Sequence, residues 1–222
     1  MSAVEAIEAR GLARTFLSRG RRVEALRDVD LRVGTGQVVA LTGPNGSGKS
    51  TLLRILATVL EPSAGTALVF GRDVRREGRL VRAAIGVSFE SDRSLLWRLS
   101  GRQNLSFFAR LRGIGPRGLR RAIRDAASEA GVLDDLDARA GRLPAGLRAR
   151  LRLARAFLGD PPVLLLDEPL ARLDRGSQRE VAGALAERAR RGGLVLAATH
   201  APLLIEAAAR RILLERGRVA HV

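Results

Sequence analysis

One stretch constrains this chain more than any other: Gly43-Pro44-Asn45-Gly46-Ser47-Gly48-Lys49-Ser50-Thr51. A glycine, four residues and then Gly-Lys-Ser make a phosphate-binding loop when a strand runs in and a helix runs out. Both flanks suit it. Residues 37–42 are a short apolar run of the kind that makes a buried strand, and 51–57 has helical spacing without a breaker. The glycines let backbone N–H groups turn inward as a nest for phosphate oxygens, and the following helix adds its positive end. Lys49 brings a point charge to the outer phosphates, and the Ser50 hydroxyl suits Mg²⁺. A nucleoside triphosphate is the expected ligand.

A second motif answers the first. Val163-Leu164-Leu165-Leu166-Asp167-Glu168-Pro169 sets two carboxylates at the end of an apolar strand. Ligands of open α/β sheets bind beyond the carboxyl ends of strands, so these acids are expected to face the phosphate loop. Asp167 is suited to hold Mg²⁺, and Glu168 to take a proton from, or orient, the water that attacks the γ-phosphate. Simple capping of the strand is the plainer alternative.

The rest of the chain reads as strand and helix in alternation. Segments 3–10 and 26–33 alternate apolar and polar residues as half-buried strands do, with Phe16 on a Gly- and Arg-rich connection between them. With aromatics at 3%, Phe16 is either a base-stacking residue or an ordinary core side chain. Strands are expected at 66–70, 85–89, 163–167, 194–199 and 211–215, before a short basic tail. Helices are expected within 100–131, broken at Gly115-Pro116, and at 147–158 and 177–190. Apolar strands alternating with helices mean a mainly parallel sheet covered on both faces.

Composition settles less. At 222 residues and 46% hydrophobic, the chain can bury a real core. It has no cysteine, hence no disulfide or thiolate metal site, and no apolar run near the ~18 residues that span a bilayer. It is expected to be soluble by itself. The net charge of +16 and pI near 11.8 rest almost wholly on arginine, since Lys49 is the single lysine. Nucleic acid or an anionic membrane face would suit that charge. The arginines are spread along the whole chain, however, which favours solvated helix faces.

In order and spacing, 43–51, 164–169, Leu173-Asp174 and Ala198-Thr199-His200 resemble the ATP-binding subunit of ATP-binding-cassette (ABC) transporters, over essentially the whole chain. The resemblance implies a RecA-like P-loop core with N-terminal antiparallel strands and an inserted helical subdomain. It implies one domain over 1–222, with 1–90 and 151–222 as the α/β core and 91–150 as the helical part. It further implies two subunits sandwiching two ATP molecules with Mg²⁺, each between one subunit's loop and the other's signature motif. His200 then corresponds to the switch histidine at the γ-phosphate, Asp174 to the loop linking the two sites, and Phe16 to the base-stacking aromatic.

Two positions depart from the family pattern. Glu90 stands where the family has a metal-contacting glutamine; an ionised glutamate accepts hydrogen bonds but donates none. The signature Leu-Ser-Gly-Gly-Gln corresponds to Leu143-Pro144-Ala145-Gly146-Leu147. Pro144 has neither hydroxyl nor N–H, and Ala145 adds a Cβ. Gly146 and the helix dipole remain to meet the partner's nucleotide in trans. Residues 94–108 are similar to export-type subunits that serve ABC-2-type permeases, where a groove receives a helix of the membrane partner; an apolar set including Trp97 is expected either to line such a groove or to pack inside the helical subdomain. The function so implied is an ATP-hydrolysing export subunit, cytoplasmic and peripheral on the inner face of the membrane, in a homo- or heterodimer. A soluble cassette acting on nucleic acid and a regulatory cassette that does not hydrolyse ATP are the alternatives.

Overall fold

The computed structural model describes residues 5–18, 20–89 and 95–221. Two sheets share the core. The larger has the order β10-β9-β3-β8-β7-β6, from β3 (Gln37–Thr42), β6 (Ile85–Ser88), β7 (Val163–Asp167), β8 (Leu194–Ala198), β9 (Arg210–Glu215) and β10 (Arg218–His221). Its first five strands in the chain are parallel to their neighbours, and only β10 runs antiparallel, against β9. The smaller is antiparallel, β2-β1-β4-β5, from β1 (Glu5–Ser18), β2 (Arg21–Gly34), β4 (Ala64–Val69) and β5 (Arg72–Asp73).

The apolar runs of β3, β7 and β8 exist because both faces of the parallel sheet are buried. Val38, Leu164, Leu166, Val195 and Ala197 point into one core, while Val39, Leu41, Val163, Leu165, Leu194 and Leu196 point into the other. The two-residue period of a strand thus divides one apolar run between two cores. The first core is closed by helices α3 (Gly101–Leu111), α4 (Pro116–Glu129), α5 (Ala145–Phe157) and α6 (Arg175–Arg190). The second is closed by α1 (Lys49–Leu56), α2 (Gly78–Ala84) and the antiparallel sheet.

Local signals set the helix ends. Ser100 accepts a hydrogen bond from the N–H of Gln103 at 3.2 Å, and the Gln103 side chain accepts from the Ser100 N–H at 2.9 Å, a capping box that starts α3. Gly115 and Pro116 break the pattern and start α4, with Pro116 where its missing N–H costs nothing. Helix α5 begins at Ala145 and runs across position 150 without interruption.

Three expectations change. Phe16 is not on a connection: β1 runs through it, paired with Val23 of β2. Gly11, which reads as a breaker, lies at a register shift, its N–H bonded to Asp30 Oδ1 at 2.9 Å, so the strand bulges instead of ending. The basic tail is also ordered, as strand β10. Arg216 and Gly217, both at positive φ (47° and 80°), form the two-residue turn that reverses β9 into it. Short helices at α2 and at α7 (Pro202–Glu206) complete the chain and carry too little periodicity to be read from sequence.

Candidate functional site

Strand β3 delivers the loop and α1 leaves it, with Gly48 at φ 109° immediately before Lys49. The loop fits only glycine at two points. A Cβ on Gly43 would lie 2.0 Å from the Leu214 carbonyl oxygen, and one on Gly48 would lie 2.4 Å from that of Ala25. Backbone is therefore packed against backbone, leaving the loop N–H groups as the inner surface. A cavity of about 350 Å³ is lined by 45–51 together with Ala25, Asp167, Glu168 and His200.

Two side chains of the loop suit a phosphate. Lys49 is buried, and its ammonium donates to the carbonyl oxygens of Gly43 at 2.7 Å and Pro44 at 3.1 Å. Burial lowers its pKa, and the charges of Glu168 and Asp167 only partly oppose that. Ser47 is buried with no hydrogen-bond partner for Oγ. A phosphate group would bring negative charge to Lys49 and an oxygen to the Ser47 hydroxyl. Ser50 and Asp167 add a hydroxyl and a carboxylate to the same cavity, the hard oxygen donors Mg²⁺ takes.

The acids stand where β7 ends. Glu168 leaves the strand with φ 48°, a left-handed backbone rare outside glycine, and its N–H is held by the Ala198 carbonyl at 2.8 Å. The carboxylate accepts from the His200 N–H at 3.4 Å, and its other oxygen lies 3.7 Å from His200 Nε2. Burial pushes the Glu168 pKa up, against the weaker pull of His200. A carboxylate with raised proton affinity beside the phosphate loop is poised to take a proton from water. His200 is half-exposed, at 52% of its side chain, and free to face a ligand.

The other expected residues lie apart. Phe16 does not line this cavity; the Arg14 guanidinium stacks on its ring at 4.6 Å. Gly146 sits in the first turn of α5, also away from it, and Pro144 precedes that turn with no side-chain cap. Asp174 caps α6, accepting from the N–H of Ser177 at 3.0 Å and from its hydroxyl at 2.6 Å, which holds its carboxyl below the usual range. Glu90 lies outside the described residues. Trp97 does not enter the groove beside α3 that Phe108 and Leu111 line. Its carbonyl accepts from Gly141, and Arg148 of α5 lies over its ring at 5.4 Å, so it is pinned beside the start of α5. Sequence reasoning missed Ala25, brought to the cavity by backbone approach between distant segments that no local pattern encodes.

Comparison with known proteins agrees with this geometry. The family described as ABC transporter matches residues 26–171. The chain is 37% identical over 162 residues to the ABC transporter ATP-binding protein NatA of Bacillus subtilis, covering 73% of this chain and 66% of NatA. It is 34% identical to the lipoprotein-releasing system ATP-binding protein LolD 1 of Caulobacter vibrioides, covering 96% of this chain and 94% of that protein. It is 33% identical to the macrolide export ATP-binding/permease protein MacB of Salmonella choleraesuis, covering 97% of this chain but 34% of MacB. Among solved structures, the dimeric structure of a bacterial ABC transporter cassette superposes with a TM-score of 0.89 at 23% identity over 97% of both chains.

Proposed function

The chain belongs to the ABC transporter family of ATP-binding proteins, and from that premise we propose that it powers an exporter, as one of a pair of cassettes acting on a separate ABC-2-type permease. The observation that carries this is the convergence, in one cavity, of the loop at 45–51 with Asp167, Glu168 and His200. Gly43, Pro44, Asn45, Gly46, Ser47 and Gly48 cradle the phosphates, Lys49 neutralises them, and Thr51 continues the cradle into α1. Ser50 and Asp167 hold Mg²⁺, which when bound neutralises charge on the outer phosphates. Glu168 takes the proton of the attacking water, and His200 reaches the γ-phosphate. Phe16 stacks on the base, and Glu90 would contact the metal.

The partner assignments rest on relatives. MacB, by its name, joins an ATP-binding protein and a permease in one chain. This chain matches only its cassette-sized share and has, among the described residues, no helix long and apolar enough to cross a membrane. On this reading the subunit docks at the inner face of the membrane on a separate permease. Residues 91–150 form the arm that meets it, while 1–90 and 151–222 form the ATP-binding core.

Pro144 and Ala145 favour a second reading, a cassette whose Gly146 completes a partner's site only weakly and which serves in a heterodimer as a slow or regulatory subunit. Both readings need ATP at the loop. Lys49→Ala removes the principal counter-charge of the phosphates, so calorimetry is expected to show most of the Mg·ATP affinity gone. Equal affinity in mutant and parent would contradict the assignment.

A further inference from the structure

The turn between β9 and β10 touches the phosphate loop without lining its cavity. The Gly217 N–H donates to the Ser47 carbonyl at 3.0 Å, and the Gly217 carbonyl accepts from the Arg27 N–H of β2 at 2.7 Å. Leu214 sets its carbonyl against Gly43, where a Cβ would come within 2.0 Å of the oxygen. A Cβ on Gly217 itself would lie 2.9 Å from the Ala25 carbonyl oxygen and 3.2 Å from the Leu26 Cα. Three distant segments, 25–27, 43–48 and 214–217, thus meet backbone to backbone.

The Ser47 carbonyl and the Gly48 N–H belong to one peptide group. That peptide is trans, and a planar trans peptide points its C=O and its N–H in opposite directions. Holding the Ser47 oxygen on Gly217 therefore turns the Gly48 N–H to the other side. Gly48 lines the cavity at the start of α1, where N–H groups meet phosphate oxygens. Gly46 and Gly48 stand at φ 78° and 109°, and glycine has more backbone freedom than any other residue. A loop with that freedom needs a hold from outside to keep one orientation before nucleotide arrives.

We propose that Gly217 is a positioning residue for ATP: its N–H fixes the peptide between Ser47 and Gly48 so that the Gly48 N–H faces the phosphates. The proposal rests on the phosphate-loop reading and adds a group from outside the cavity. A nest set in advance spares ATP the cost of ordering it, so the gain belongs to binding and not to the chemical step. The chain carries a matched control. Phe70 and Gly71 join β4 to β5 in a second two-residue turn, at φ 48° and 71° against 47° and 80° for Arg216 and Gly217. A Cβ on Gly71 would meet nothing within 4 Å, and Gly71 does not line the cavity.

The test compares Gly217→Ala with Gly71→Ala in the full chain, by Mg·ATP calorimetry, thermal melting and steady-state hydrolysis. Both put a Cβ at a left-handed position, so both are expected to lower the melting temperature. Only Gly217→Ala is expected to weaken Mg·ATP, raising Kd and KM about fivefold, the worth of one net hydrogen bond, with kcat at saturation unchanged. Glycolate in place of Gly217, introduced by ligating a synthetic C-terminal segment, removes the N–H and adds no Cβ. It is expected to show the same loss of affinity, and it decides the question if Gly217→Ala does not fold. The parent Kd in the glycolate protein overturns the proposal, and so does a kcat that falls while Kd holds. An equal loss of affinity in Gly71→Ala assigns the effect to general loosening and overturns it too. No Mg·ATP binding by the parent overturns the phosphate-loop reading itself.

Discussion

Glu168 shows how much a single residue is asked to do. Its backbone at φ 48° costs on the order of 1 kcal/mol and is held by the bond from its N–H to Ala198. Its carboxyl is half-buried beside His200, and burial raises its pKa. Because the folded pKa lies above the unfolded one, ionisation weighs against the folded state. The favourable contribution is complete below the unfolded pKa and is lost as pH rises through the folded one. Glu168→Gln removes the ionisation. Its melting temperature is therefore expected to exceed the parent's at about pH 8, with the gain shrinking by about pH 4, as scanning calorimetry at the two values can show. A gain that is larger in acid would reverse the sign and refute the burial argument. Asp167 and Glu168 were legible in the sequence because two acids ending four apolar residues have few other uses in a parallel sheet. The orphaned Ser47 hydroxyl was not, since burial of that side chain depends on how the loop closes, with the Gly217 N–H bonded to the Ser47 carbonyl at 3.0 Å.

Among the elements, α5 begins at the segment that we read as a departure from the family signature. Its first turn begins at Ala145, after Pro144 at φ −54° and ψ 157°, with no side chain bonded to the free N–H groups. The helix forms regardless, because Leu151, Leu153, Ala154 and Phe157 bury its inner face. On that reading its tip lacks one hydroxyl and one close backbone approach. A lost preorganised donor commonly costs on the order of 10²-fold in rate. Restoring Ser, Gly and Gln by Pro144→Ser, Ala145→Gly and Leu147→Gln is thus expected to raise steady-state ATP hydrolysis by ten- to about a hundredfold. A restored protein no faster than its parent, under conditions where both dimerise, would show that this tip does not limit the enzyme. Strand and helix alternation was legible here because continuous apolar runs and 3.6-residue spacing differ plainly. The extent of β1 was not, since Gly11 breaks a local pattern that pairing with β2 restores.

At the scale of the whole molecule, the site depends on three segments far apart in the chain. The loop at 45–51, Asp167 and Glu168 after β7, and His200 after β8 meet because β3, β8 and β7 are neighbours in one sheet. The helical part is tied by charge as well as by packing to α6, which lies on that sheet. Arg188 of α6 bonds Glu129 of α4 at 2.6 and 2.8 Å, and Arg150 of α5 reaches Ser177 and Glu180 of α6 at 2.6 Å each. Through Ser177 the Arg150 network touches Asp174, so hydrogen bonds link α5 to the segment before α6. The central claim is that this assembled cavity hydrolyses ATP with Glu168 as its base. The direct measurement is phosphate release from Mg·ATP by parent and Glu168→Gln, at concentrations where calorimetry shows both saturated. A slow but measurable parent rate, falling at least about 10²-fold in the mutant, is the predicted result; equal rates in the two proteins would contradict it.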